Sequence, residues 1–278
     1  MSPDPLDLQH LGSARVIASY LLETEDGPAL FDCGPSTCLD RLQEALAERG
    51  LQLRDLRHLL ISHIHLDHAG AAGVLVRLHP ELQVHVSEIG APHLVDPTRL
   101  EASARRLYGE SFDTLWGELA PVAQDNIRLA ESDVVGLECF PAPGHARHHV
   151  CYLARDGTLY AGDAAGVRIQ PHRTVLPPTP PPEFDPEAWL ETLDEIERRG
   201  PERLALIHFG LADDVARHLA ELHGRLIAWV EREGVTQEEF TRTVSSEVDG
   251  SLDEYAHAMP FWQSYAGLKR YWEKRAAP

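Results

Sequence analysis

Residues 61–70 read ISHIHLDHAG and place His63, His65, Asp67 and His68 within six positions, directly after an apolar run. Imidazole nitrogens and carboxylate oxygens at that density suit a borderline divalent cation. In extended backbone, positions i and i+2 project to the same side, so His63 and His65 can converge on one ion. Asp67 and His68 follow where the chain must turn into a helix, which aims them at a neighbouring point. A solvated histidine cluster is the competing reading. With 16 histidines in the chain, chance supplies such a motif in about one of several hundred similar sequences.

Three later positions shift that balance. His145 follows FPAPG, Asp163 ends GTLYAGD and His208 ends LALIH. Each stands just past a buried β run, where α/β proteins place their sites. Five histidines and two aspartates suit two ions sharing a carboxylate, and they fit calcium or magnesium poorly.

Strands and helices must carry these residues. The apolar runs 14–24 and 28–34, separated by the turn signal EDGP, read as strands, and 36–50 reads as an amphipathic helix closed by Gly50. Strands are expected at 56–62, 82–88, 126–130, 134–144, 148–154, 157–163 and 202–210, and helices at 69–80 and 187–200. Residues 91–121 have helical periodicity and read as an insertion between strands. The proline run at 177–182 reads as a stiff, extended, ordered loop. Residues 1–211 are therefore expected to form one layered α/β domain, with 212–278 as a helical C-terminal extension packed on it.

Composition narrows the function. The chain has 278 residues, 43% of them hydrophobic, and a net charge of −19. Such a surface repels phosphate backbones and argues against nucleic-acid partners. No stretch has the length of a membrane span. Cys33, Cys38, Cys139 and Cys151 are too few and too scattered for a disulfide framework and are expected to be buried thiols. The first ten residues lack the pattern of a signal peptide, so a cytoplasmic location is expected. The expected partner is a small-molecule substrate. A homodimer is left open by the aromatic tail at 255–272.

Taken in order, Asp32 in LFDCG, the H-x-H-x-D-H at 63–68, His145, Asp163 and His208 resemble the five motifs of the metallo-β-lactamase superfamily, over roughly residues 15–210. The resemblance implies an α/β fold, a four-layer αββα sandwich with a dinuclear metal centre at one edge of the sheets. It implies that His63, His65 and His145 hold one ion, that Asp67, His68 and His208 hold the second, and that Asp163 bridges them. Asp32 would orient ligands. The cofactor would be two divalent ions, zinc first, with iron or manganese as alternatives. Cations about 3.5–4 Å apart lower the pKa of a bridging water toward neutrality, and Asp67 would orient the resulting hydroxide and carry its proton. The implied activity is cleavage of an ester, thioester or lactone of a small metabolite, in a branch similar to glyoxalase II or the lactonases. The alternatives are a phosphodiesterase or nuclease of the same fold, disfavoured by charge, and a mononuclear-iron enzyme similar to persulfide dioxygenases.

Departures from the family pattern point to the pocket. Glyoxalase II enzymes carry a tyrosine two residues past the last histidine ligand, where this chain has Gly210, and acyl-homoserine lactonases carry one three residues past the bridging aspartate, where it has Gly166. Lys269, Arg270 and Lys274 could serve an anionic cosubstrate or simply form a solvated helix face. His148 and His149 stand near the place where the family often has glycine. They are read either as catalytic or substrate-contacting groups, His149 as the catalytic candidate, or as satisfied strand histidines. Arg168, His172 and Phe184 are candidate substrate contacts, with a surface ion pair as the plain alternative for Arg168. Tyr108 and Trp116 could belong to a lid or to an ordinary packed layer.

Overall fold

A computed structural model describes residues 4–276. The first sheet holds β1 (Leu6–Asp7), β2 (Ala18–Thr24), β3 (Gly27–Phe31), β4 (His58–Leu60), β5 (Gln83–Val86) and β6 (Ile127–Leu129), in that spatial order. β1 to β3 are antiparallel, and β3 to β6 are parallel. The second sheet holds β7 (Asp133–Val134), β8 (Leu137–Pro141), β9 (Val150–Leu153), β10 (Thr158–Tyr160), β11 (Arg203–Leu206) and β12 (Gly210–Ala212). Only β10 and β11 run parallel there.

Parallel neighbours need crossovers, and the helices supply them. α1 (Leu39–Glu48) joins β3 to β4, while α2 (Leu66–Ala69) and α3 (Ala72–Leu78) join β4 to β5. α4 (Ala91–Val95), α5 (Thr98–Tyr108) and α6 (Phe112–Trp116) lie between β5 and β6, and α7 (Pro186–Arg199) joins β10 to β11. α1 turns Leu42, Ala45 and Leu46 inward at helical spacing. α7 starts where the Asp185 side chain accepts from the Ala188 N–H at 3.0 Å, with Pro186 in its first turn.

The two sheets face each other through aromatic rings. The Tyr20 hydroxyl donates to the Leu206 carbonyl at 2.7 Å, and that of Tyr152 to the Ile61 carbonyl at 3.0 Å. Phe31 meets Tyr152 edge-on at 5.9 Å and is wholly buried. Loss of such a ring costs about 3–5 kcal/mol. The result is an αββα sandwich of two mixed sheets.

The chain continues through α8 (Val215–Val230), α9 (Gln237–Glu247), α10 (Leu252–Ala258) and α11 (Phe261–Ala276). Trp229, Phe240, Tyr255, Leu268 and Trp272 belong to the same apolar core as the sheets. α11 lies hard against the proline loop: a Cβ on Gly267 would stand 1.9 Å from the Thr179 carbonyl oxygen, and Thr179 Oγ1 donates to the Ser264 carbonyl at 2.9 Å. All four cysteines are free and buried. No helix among the described residues is long and apolar enough to cross a membrane.

Four strands set up one edge of the sandwich. β3 ends at Phe31 just before Asp32, and β4 ends at Leu60 just before the histidine motif. β10 ends at Tyr160 ahead of Asp163, and β11 at Leu206 ahead of His208. These carboxyl ends gather the polar side chains on an otherwise apolar frame.

Candidate metal centre

The chain leaves β4 and reaches His63 and His65 before α2 begins. His65 stays extended at φ −62 and ψ 152, so the helix opens immediately after it, with Asp67 and His68 in its single turn. His63 Nε2 lies 2.9 Å from His65 Nδ1, and His145 Nε2 lies 2.9 Å from the same atom. Three lone-pair-bearing nitrogens thus share one point. Asp67, His68 and His208 form a second triad, and within each triad the donor atoms lie within 4.8 Å of one another.

Asp163 stands between the triads. Its Oδ2 is 3.3 Å from His145 Nε2, while its Oδ1 is 3.4 Å from His68 Nε2 and 3.6 Å from His208 Nε2. Gly162 makes room for this placement. It sits at φ +49, and a Cβ there would come within 2.6 Å of both His149 Nε2 and Ser62.

The rings are aimed from behind. His68 Nδ1 donates to Asp32 Oδ2 at 2.8 Å, and His63 Nδ1 to Ser62 Oγ at 3.0 Å. His145 Nδ1 donates to the Pro178 carbonyl at 2.8 Å, and His208 Nδ1 to the Val16 carbonyl at 2.6 Å. Each bond fixes the tautomer and leaves Nε2 free toward the centre. Asp32 itself is held by the Ser62 N–H at 2.8 Å and hydroxyl at 2.7 Å. It takes a left-handed conformation, φ +51, which aspartate tolerates better than most residues and which turns the chain sharply after β3.

The electrostatics differ between the triads. Burial, and then the neighbouring rings, push His63 well below its ordinary value, and burial drives His65 down to about 3. At His68 burial acts the same way, but the carboxylates of Asp163, Asp67 and Asp32 outweigh it and hold the ring well above its ordinary value. His208 is also raised, by Asp163 and Asp67 against burial. Asp67 and Asp163 are pushed up by burial yet held low by the surrounding imidazoles. His68 Nε2 and Asp163 Oδ1 are buried without a hydrogen-bond partner. Buried polar atoms seldom stay unpaired, and divalent cations between the triads would satisfy both.

A cavity of about 500 Å³ opens above the centre. Asp67, His145, Asp163 and His208 lie at its floor, and Asp67 is the more open carboxylate, 24% exposed against 5% for Asp163. Its roof comes from three places: Leu100 to Trp116 of the insertion, Pro178 to Pro182, and the stretch from Met259 to Ser264. The Gln263 amide donates to the Tyr108 hydroxyl at 3.1 Å, joining the insertion to the C-terminal helices.

The other expected contacts fall in different places. His148 lines the cavity, with its Nε2 3.4 Å from a Glu183 oxygen. His149 is 1% exposed, and its Nε2 accepts the Asp163 N–H at 3.1 Å, so it positions Asp163 and does not line the cavity. The expectation of a catalytic His149 is corrected accordingly. Asp32 likewise acts through His68. Three substrate contacts expected from the sequence are not at the cavity. Arg168 is drawn away into an ion pair with Asp214, and its Nε donates to the His172 carbonyl at 3.0 Å. The His172 ring lies against Gly250, and Phe184 packs between Trp189 and Tyr271 at 6.2 and 5.9 Å. Lys269 faces Glu273 at 3.8 Å, and neither it, Arg270 nor Lys274 lines the cavity.

Sequence reasoning missed His10, which lines the cavity, stacks on Trp116 at 5.6 Å and bonds the Leu115 carbonyl at 2.8 Å. It also missed the Val16 and Pro178 carbonyls. Backbone groups carry no side-chain signal, and only Ser62, inside the motif itself, was within its reach.

The sequence pattern of the metallo-beta-lactamase superfamily matches residues 12–208. A metallo-beta-lactamase fold-containing protein of Sulfurisphaera tokodaii is 27% identical over 181 residues, 61% of this chain and 67% of that protein. A crystal structure of an archaeal member, described as from Sulfolobus tokodaii, superposes with a TM-score of 0.67 at 22% identity and covers 93% of each chain. An N-acyl homoserine lactonase of Bacillus thuringiensis is 25% identical over 223 residues, 69% of this chain and 79% of the lactonase. An atrochrysone carboxyl ACP thioesterase of Pseudocercospora fijiensis is 26% identical over 131 residues, 47% of this chain but only 31% of that protein. The chain belongs to the metallo-beta-lactamase superfamily.

Proposed function

We propose that this member of the superfamily is a metal-dependent hydrolase that cleaves an ester, thioester or lactone of a small metabolite, with two divalent ions held by the two triads. The observation that carries the reading is the division of Asp163, one oxygen toward His145 and the other toward His68 and His208. Lactonase and thioesterase relatives supply the bond class.

When bound, the ions supply Lewis acidity and bring a water's pKa toward neutrality. The chain's own groups do the rest. His63, His65 and His145 are neutral donors already turned to one point, so no reorganisation precedes loading. Asp67 is ionised and faces the cavity, where its carboxylate orients the attacking water and accepts a proton from it. The carbonyls of Val16 and Pro178 and the Asp32 carboxylate keep His208, His145 and His68 from rotating. The apolar roof excludes bulk water and holds the apolar part of a substrate over the floor.

Thioesters, lactones and phosphodiesters should be offered to protein of measured metal content. Two ions per chain with turnover of a thioester, ester or lactone is the expected result. Turnover of phosphodiesters alone, or a single iron with oxygen consumed alongside a persulfide, would sink the proposal.

A further inference from the structure

The cavity rim carries a charge pattern that the floor does not need. Arg99, Ser103 and Arg106 are exposed and line the cavity from one face of α5, three and four residues apart. Among the described residues neither Arg99 nor Arg106 forms an ion pair or a side-chain hydrogen bond. Of the acids near Arg99 along the chain, Glu101 is taken by Arg105, and Asp96 is engaged with Thr98 at 2.6 Å and feels the Arg99 charge only through space. Arg105, on the outer face of the same helix, is paired twice, with Glu101 at 2.9 Å and Asp113 at 2.8 Å.

The contrast matters in a chain with 44 acidic and 25 basic residues. Carboxylates are abundant, yet among the described residues none forms an ion pair or hydrogen bond with either guanidinium at the mouth, and Asp96 reaches Arg99 only as a through-space charge. The carboxylates that do line the cavity are committed elsewhere. Asp67 belongs to the second triad, Asp163 stands between the two, and Glu183 is 3.0 Å from Arg147. His93 and His257 add further nitrogen donors to the lining. Between rim and floor the walls are apolar, built from Leu100, Ala104 and Leu107 on one side and Met259 and Pro260 on the other.

We propose that the substrate is an anionic acyl ester or thioester, with its apolar arm along these walls and its anionic group at Arg99 and Arg106. The assignment rests on the hydrolase reading for the identity of the bond, but not for the anion site. Guanidinium forks bind carboxylate, sulfate and phosphate oxygens alike, so the shared feature is the negative charge at the outer end of the arm.

Two measurements test it on the metal-loaded protein. In the first, Trp116 in the roof reports binding by fluorescence, with Trp116→Phe as the blank, for octyl sulfate and for octanol. The sulfate should bind about ten-fold more tightly at low salt. That preference should shrink in about 0.5 M salt and vanish in an Arg99→Ser/Arg106→Ser variant. It should survive in Arg105→Ser, which removes a charge from the same helix but not from the cavity. In the second, hydrolysis of hexanoyl thioesters of coenzyme A and of neutral N-acetylcysteamine is compared, and then adipoyl and hexanoyl thioesters of N-acetylcysteamine. A preference of about ten-fold in kcat/KM for an anionic member, lost in the double variant, is expected in one pair and tells which half of the substrate carries the charge. Equal binding of octyl sulfate and octanol, or a preference that outlives both arginines, overturns the inference. A sulfate preference without turnover of any ester sinks the hydrolase reading and leaves the anion site standing.

Discussion

The floor and the roof of the cavity are built on opposite principles. The floor is polar, buried and fixed twice over: the Nδ1 atoms of His63, His68, His145 and His208 have a partner behind them and Nε2 free in front. The roof is apolar and assembled from three separate stretches, joined across the cavity by a Tyr108–Gln263 hydrogen bond. A site that generates a nucleophile needs its donors placed to a fraction of an ångström. A surface that selects what is attacked needs only shape and a few polar points. Changes to the floor should therefore abolish the reaction, while changes to the roof should redirect it.

Asp163→Ala is the severest break. It removes the one carboxylate that, among the described residues, stands between both triads, so both ions should be weakened and the rate should fall about a thousand-fold, several kcal/mol of barrier. Metal analysis alongside kinetics checks this, and retention of both ions would refute the bridging role. Asp32→Asn is milder and one-sided. It leaves His68 without its anionic partner, so affinity in the second triad should drop about 10- to 100-fold while the first triad keeps its ion.

Protons sharpen the comparison within the floor. His63 and His65 are depressed by burial and bind metal already neutral, whereas His68 and His208 are raised by Asp163 and Asp67. Near pH 6 the second ion should displace about two protons and the first about none, and acid should strip the second ion first. Calorimetric titration in buffers of different ionisation enthalpy reads the difference, and equal release by both ions would erase it. The metal-free fold obeys the same signs. Contacts of a His68 with raised pKa stabilise it below the unfolded value of ~6.5 and are lost as pH rises through the folded one. Buried neutral His63 and His65 destabilise it increasingly as pH falls below ~6.5.

The smallest effect belongs to the roof. Trp116→Ala removes the stacking partner of His10 and part of the apolar wall. KM for a substrate with an apolar arm should rise about ten-fold with kcat little changed. A fall in kcat equal to that of a floor variant would show that the two regions are not separate in function.

Legibility in the sequence follows the same division. The seven floor side chains stand out because histidine and aspartate at strand ends serve few structural needs, and the structure brings all seven together. The strands were readable from apolar runs but came out shorter: the run at 56–62 yields β4 at His58–Leu60, because the chain must loosen before His63 to swing its ring inward. The helix expected at 69–80 is the shorter α3, Ala72–Leu78, and a separate one-turn α2, Leu66–Ala69, precedes it and carries Asp67 and His68. The helical character of 91–121 was readable, but not what it covers, because apolar periodicity says that a face is buried without saying against which partner. Arg168, His172 and Phe184 failed for a related reason. Their neighbourhood to Asp163 in sequence suggested the pocket, and Asp214, Gly250 and Trp189 took them elsewhere.

The contact of Gly267 with the Thr179 carbonyl has a consequence for inheritance. Thr179 follows Pro178, whose carbonyl holds His145, so α11 stands two links from a member of the first triad. A chimera carrying a foreign segment from 212 onward must bring a small residue at the contact and a matching proline loop, or it will unseat His145. A change in this tail is thus expected to reach His145 through the proline loop.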